Sequence, residues 1–132
     1  MKFKDLMIAK ATVCVVFGPI LLFAPVWFLN LVGLSHSSGA ALLAGAYGAS
    51  LIGHIILTWR TKSEGDSNAR RAILWHLFVY DGIGLIISLK LVFAGTLNVL
   101  GWGIVAIYLF FTFYSGLLLA TGKKESKEAV LH

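Results

Sequence analysis

The stretch AILWHLFVYDGIGLIISLKLVF, from Ala72 to Phe93, decides the fold. A helix needs about 20 mostly apolar residues to cross about 30 Å of hydrocarbon at about 1.5 Å per residue, and this stretch meets that length. Three more segments pass the same test: Leu6 to Ala24, Ala40 to Trp59, and Leu97 to Leu119. Of the 132 residues 58% are hydrophobic and 13% charged, and the mean hydropathy is +0.86. A soluble fold so composed lacks the polar residues to cover its surface. The four spans leave no room for a separate extramembrane domain, so activity is expected in or beside the bilayer.

The N-terminal lysines precede an apolar run, as in a signal peptide. That run is too long and lacks a small-x-small cleavage pattern, so it reads as a retained helix. Pro19 and Pro25 are expected to kink or end it. The stretch from Pro25 to Leu34 then reads as a short interfacial helix anchored by Trp27, followed by a turn over Ser35 to Gly39.

Lys2, Lys4 and Lys10 sit at the start of the first span, Arg60, Lys62, Arg70 and Arg71 bracket the central loop, and Lys123, Lys124 and Lys127 lie in the tail. By the positive-inside rule both termini and the loop from Thr61 to Ala69 are cytoplasmic. Lys90 snorkels from the far end of its helix. The pI near 9.6 therefore reflects topology signals and not a nucleic-acid stripe.

Short loops make neighbouring helices antiparallel. The expected fold is all-α, a transmembrane up-down four-helix bundle with a short interfacial helix after the first span. It forms one domain over residues 1–132 with a cytoplasmic tail over 120–132. In the second span Ala41, Gly45, Ala49 and Gly53 form a small-residue ladder that admits another helix.

At 100° per residue, His76, Tyr80, Asp81, Gly84 and Ser88 share one arc of the third span, opposite an apolar arc that includes Trp75, Phe78 and Ile86. Tyr47, Ser50, His54 and Thr58 form a similar arc on the second. His54 lies five residues before Trp59 and His76 five after Arg71, so an antiparallel pair brings them level. Three readings of the pair compete: hydrogen-bonded glue, a proton relay, and axial ligation of a b-type haem or other metal. Asp81 lies near the midplane, where a carboxylate costs about 2.5 to 3.5 kcal/mol. It either finds an offsetting partner or keeps its proton and donates, to Tyr47 across the helix pair or to a substrate oxygen.

Lys10 is expected to stretch its stem to the interface, and Cys14 to act as a small buried hydrophobe. A single cysteine excludes an intrachain disulfide. The aromatic run Tyr108 to Tyr114 reads as packing and lipid contact. No phosphate loop, nucleophile elbow or zinc motif is present.

Gly18-Pro-Ile-Leu-Leu-Phe-Ala-Pro25, Leu31-Val-Gly-Leu34, Gly45-Ala-Tyr-Gly48, Ala69-Arg-Arg-Ala72 and Asn98-Val-Leu-Gly-Trp102 follow one another in an order that resembles the DoxX-like group of small four-helix membrane proteins. The likeness covers nearly the whole chain. The group is named for a membrane subunit associated with quinone-linked oxidation, which implies an accessory or quinone-proximal role and carries over no catalytic residue.

The expectation is a non-catalytic accessory subunit, or a binder of a lipophilic, quinone-like molecule in a pocket of Tyr47, Ser50, His54, His76, Tyr80 and Asp81. Its expected partners are the bilayer and a larger membrane complex or further copies of the chain, with no nucleic acid. One rival is a membrane enzyme with Asp81 as acid and His54 or His76 as base, performing isomerisation or cyclisation on a lipophilic substrate. Another is a proton-coupled transporter or channel built as an oligomer.

Overall fold

The computed structural model describes residues 2–35, 37–65 and 67–131, those from Lys123 onward by backbone alone. His36 of the expected turn lies outside the described residues. The described residues form five helices: α1 (Phe3–Phe23), α2 (Pro25–Leu31), α3 (Ser38–Thr61), α4 (Asn68–Phe93) and α5 (Gly101–Leu131). Four are long and apolar enough to cross a membrane, namely α1, α3, α4 and α5 over Gly101–Gly122. The all-helical four-helix bundle expected from the sequence is the fold observed.

Pro19 is carried inside α1 without ending it, whereas Pro25 starts α2 at the position where its missing N–H costs nothing. Ser37 and Ser67 cap α3 and α4, each side chain accepting a backbone N–H three residues on at 3.1 Å. Gly33 and Gly95 stop α2 and α4 with φ of 84° and 73°. Each lets the next residue's N–H reach back five residues, from Leu34 to the Leu29 carbonyl at 2.8 Å and from Thr96 to the Leu91 carbonyl at 3.0 Å. Only glycine adopts that left-handed turn without strain.

Asn98 ties the two ends on this side together. Its Nδ2 donates to the Leu31 carbonyl at 2.7 Å, its backbone N–H donates to Val32 at 3.0 Å, and its Oδ1 accepts from the Leu100 N–H at 3.0 Å. These bonds hold residues 97–100 as a turn, so the last helix starts at Gly101 and not at Leu97. Its helical backbone then runs through Leu131, across the segment expected as a tail.

The helices pack as two tight antiparallel pairs, α1 with α3 and α4 with α5, joined through α1 and α5. Between α1 and α3 the close approach is at Gly48. A Cβ there would sit 2.6 Å from the Leu22 nitrogen and 2.8 Å from the Gly18 oxygen, both backbone atoms. The expected ladder is therefore corrected: Gly45 stands only at the edge of this contact, and a Cβ on Gly53 would meet nothing within 4 Å. Consecutive α3 and α4 meet through rings and not through close backbone. The outer surface is apolar, with Trp27 and Trp102 exposed toward one end and Trp59 and Trp75 toward the other, as aromatic belts require.

Candidate functional site

The centre of the bundle holds an ion pair. Lys10 Nζ lies 2.6 Å from Asp81 Oδ1, with the two side chains only 4% and 0% exposed. Lys10 does not stretch to the interface, and Asp81 does not bond Tyr47; each charge instead offsets the other. The ammonium also faces the Phe111 ring at 4.5 Å and the Tyr80 ring at 5.5 Å. Ring faces are negative, so these contacts replace part of its lost hydration. Among the described residues, Asp81 Oδ2 and the hydroxyls of Tyr80 and Thr112 are buried with no hydrogen-bond partner. Cys14 is fully buried and free.

The histidines do meet. His54 Nε2 and His76 Nε2 are 2.9 Å apart, and His54 Nδ1 is 2.8 Å from the Ser50 carbonyl. A carbonyl only accepts, so His54 carries its proton on Nδ1 and its Nε2 accepts from the His76 Nε2–H. A metal between facing imidazoles needs about 2 Å on each side, so this spacing leaves no room for one. Among the described residues no group of three or more His, Cys, Asp or Glu forms a metal cluster.

Tyr80 continues this column, with its ring 4.7 Å from His54, 5.7 Å from His76 and parallel to Tyr47 at 6.4 Å. These rings bridge α3 and α4 where their backbones stand apart. Tyr47 then hydrogen-bonds hydroxyl to hydroxyl with Tyr108 of α5.

Two cavities share the Tyr47–Tyr108 pair as a wall. The larger, about 450 Å³, lies under α2 and is lined mainly by apolar residues, including Phe17, Leu29, Ala44 and Ile104. Its polar contributions come from Lys10, Cys14, Tyr47, Ser88 and Tyr108. The smaller, about 320 Å³, is lined by Tyr47, Tyr80, Ile83, Gly84, Ile87, Ser88 and Tyr108. Ile83 and Ile87 are 55% and 52% exposed, so this cavity reaches the apolar outer surface.

Of the six residues expected to form the pocket, Tyr47 and Tyr80 line a cavity. His54, His76 and Asp81 do not, and Ser50 is exposed on α3 with its carbonyl engaged by His54. Sequence reasoning placed Lys10 at the interface and read Tyr108 and Phe111 as packing only, so none of the three was expected at the polar centre. The signal for Lys10 was present: a lone acid at midspan calls for a cation, and Lys10 is the other charge deep within a span.

Fold and site define a small membrane protein with a polar centre between two cavities. Comparison with protein families, with curated proteins and with solved structures finds no match for the chain.

Proposed function

We propose that this protein binds a lipophilic molecule whose polar, carbonyl- or hydroxyl-bearing head rests against Tyr47, Tyr108 and Lys10 while its apolar part fills the cavity under α2. It does so as a non-catalytic accessory subunit with both termini on the cytoplasmic side. The observation that carries the reading is the cavity of about 450 Å³ that is apolar along its length and polar where Lys10 and the tyrosine pair line it. That size and that mix, an apolar lining with a few convergent polar groups, suit a small-molecule site. The smaller cavity, reaching the surface at Ile83 and Ile87, supports access from the lipid. The likeness to the DoxX-like group makes a quinone the first candidate head.

An enzymatic role for Asp81 requires its carboxyl about 3 Å from a substrate atom. Here it is engaged by Lys10 and lines neither cavity.

The test titrates a short-chain benzoquinone into protein held in phosphatidylcholine nanodiscs, with bound probe counted by native mass spectrometry. One equivalent is expected to bind. Ala44→Phe, which fills the cavity, abolishes binding, and Tyr108→Phe weakens it about three- to tenfold, the worth of one neutral hydrogen bond. Binding no greater than in empty nanodiscs, or unchanged in Ala44→Phe, refutes the reading.

A further inference from the structure

At the end of the bundle opposite α2 lies a third cavity, of about 750 Å³, with a different chemistry. Lys2, Lys4, Lys62, Arg70 and Arg71 line it, against one carboxylate among the described residues, that of Glu64. Phe3, Leu74, Leu118 and Leu119 give it an apolar wall that belongs to the spanning helices. Among the described residues Lys10–Asp81 is the one ion pair, so none of these five cations is neutralised by a described carboxylate. Glu64 Oε1 is itself engaged, accepting from the Ser67 hydroxyl at 3.4 Å.

Two of the cations are held in place. The Arg70 guanidinium stacks on Phe3 at 4.6 Å, and Lys62 Nζ lies over the Trp59 ring at 3.1 Å. Arg70, Arg71 and Lys62 are half-buried and not free in solvent. Five like charges converging on one concave space repel one another, and part-burial strengthens that repulsion. A polyanion in the cavity removes the repulsion, and the guanidinium fork of arginine suits phosphate oxygens bidentately.

We infer that this cavity is a binding site for the phosphate headgroup of an anionic phospholipid, its acyl chains running down the apolar wall. The lipid is favoured over free phosphate by position: the cations sit at the ends of spanning helices, where headgroups stand, and the wall beneath them is apolar. The site is separate from the quinone cavity, shares no lining residue with it, and does not depend on it.

The test purifies the full chain from mixed phosphatidylglycerol and phosphatidylcholine nanodiscs and measures co-retained lipid by native mass spectrometry. Phosphatidylglycerol is expected to be retained over phosphatidylcholine. The triple variant Lys62→Gln/Arg70→Gln/Arg71→Gln loses that preference, at about fivefold per charge and on the order of a hundredfold together. Arg60→Gln and Lys90→Gln, which lie outside the cavity, leave it unchanged. A melting temperature for the triple variant close to that of the parent shows that the loss is not unfolding, and the single Arg71→Gln change, read for a fivefold loss, decides the matter if the triple variant fails to fold. Equal retention of the two lipids by the parent overturns the inference, as does a variant that keeps the preference. Displacement of the lipid by millimolar inorganic phosphate overturns it in favour of a soluble anion.

Discussion

Replacing Asp81 by asparagine tests whether the buried ion pair governs the bundle. The change keeps the shape of the side chain and strands the Lys10 ammonium among Phe111, Tyr80 and the neutral amide. With both partners under 5% exposed, solvent screening offers no discount. Removing one member of such a pair costs about 3 to 5 kcal/mol. For a chain of this length that corresponds to about 10 to 20 °C in melting temperature. Lys10→Met strands the carboxyl instead and is expected to cost a similar amount. The double variant Lys10→Met/Asp81→Leu leaves no charge to strand and is expected to melt within about 5 °C of the parent or above it. Tryptophan fluorescence melts in nanodiscs give the full double-mutant cycle. If Asp81→Asn costs under about 1 kcal/mol, Lys10 has swung its stem to the interface and the pair is incidental. If the double variant loses the sum of the single losses, the residues are not coupled.

Gly48→Ala places a methyl against the α1 backbone at Leu22 and Gly18 and is expected to cost about 1 to 3 kcal/mol, while Gly53→Ala is neutral or stabilises by up to about 1 kcal/mol. Thermal melts of the two variants side by side check both, and equal losses refute the contact. His76→Ala leaves the buried His54 Nε2 without its donor and is expected to cost about 1 to 2 kcal/mol. His76→Gln restores an N–H and recovers part of that loss, and a melt showing no difference between the two refutes the assigned proton positions.

The spans, the helix starting at Pro25 and the matched depth of His54 and His76 were legible because each follows from a local rule: hydropathy, proline chemistry, or rise per residue. The partner of Asp81 was not, since Lys10 lies 71 residues away and nothing local states which helices adjoin. Short loops made each span look packed on the next. The structure packs the consecutive spans α1 with α3 and α4 with α5 tightly, and leaves only the α3–α4 seam to be bridged by side chains. The small-residue ladder failed for a geometric reason. A four-residue step advances about 400°, so each rung turns about 40° and Gly53 stands about 120° round the helix from Ala41. Gly48, three residues from Gly45, stays on the face that α1 covers. Tyr108 was hidden inside an aromatic run whose other members do pack as expected, Phe110 against Phe111 at 5.1 Å and Tyr114 at 4.8 Å.

Replacing a buried ion pair by apolar residues of similar volume is often neutral or stabilising, so stability alone gives weak reason for Lys10 and Asp81 to stand at the centre of the bundle. Lys10 lines the cavity under α2 and Asp81 lines neither central cavity, so on the proposed reading they play different parts: the ammonium would meet a ligand head and the carboxylate would hold the ammonium there. The Lys10→Met/Asp81→Leu variant separates this part from packing. Its cavity keeps its apolar length and loses its charged end. A benzoquinone carrying an alkyl tail is expected to bind about ten- to a hundredfold more weakly, the worth of a hydrogen bond to a charged group. The alkyl chain alone, with no head, is expected to bind as it does to the parent, because the surface it buries is unchanged. Equal weakening of both probes means that the cavity has collapsed and Lys10 meets no head. No weakening of either means that the head lies elsewhere. Only a loss confined to the headed probe agrees with a ligand seated on Lys10.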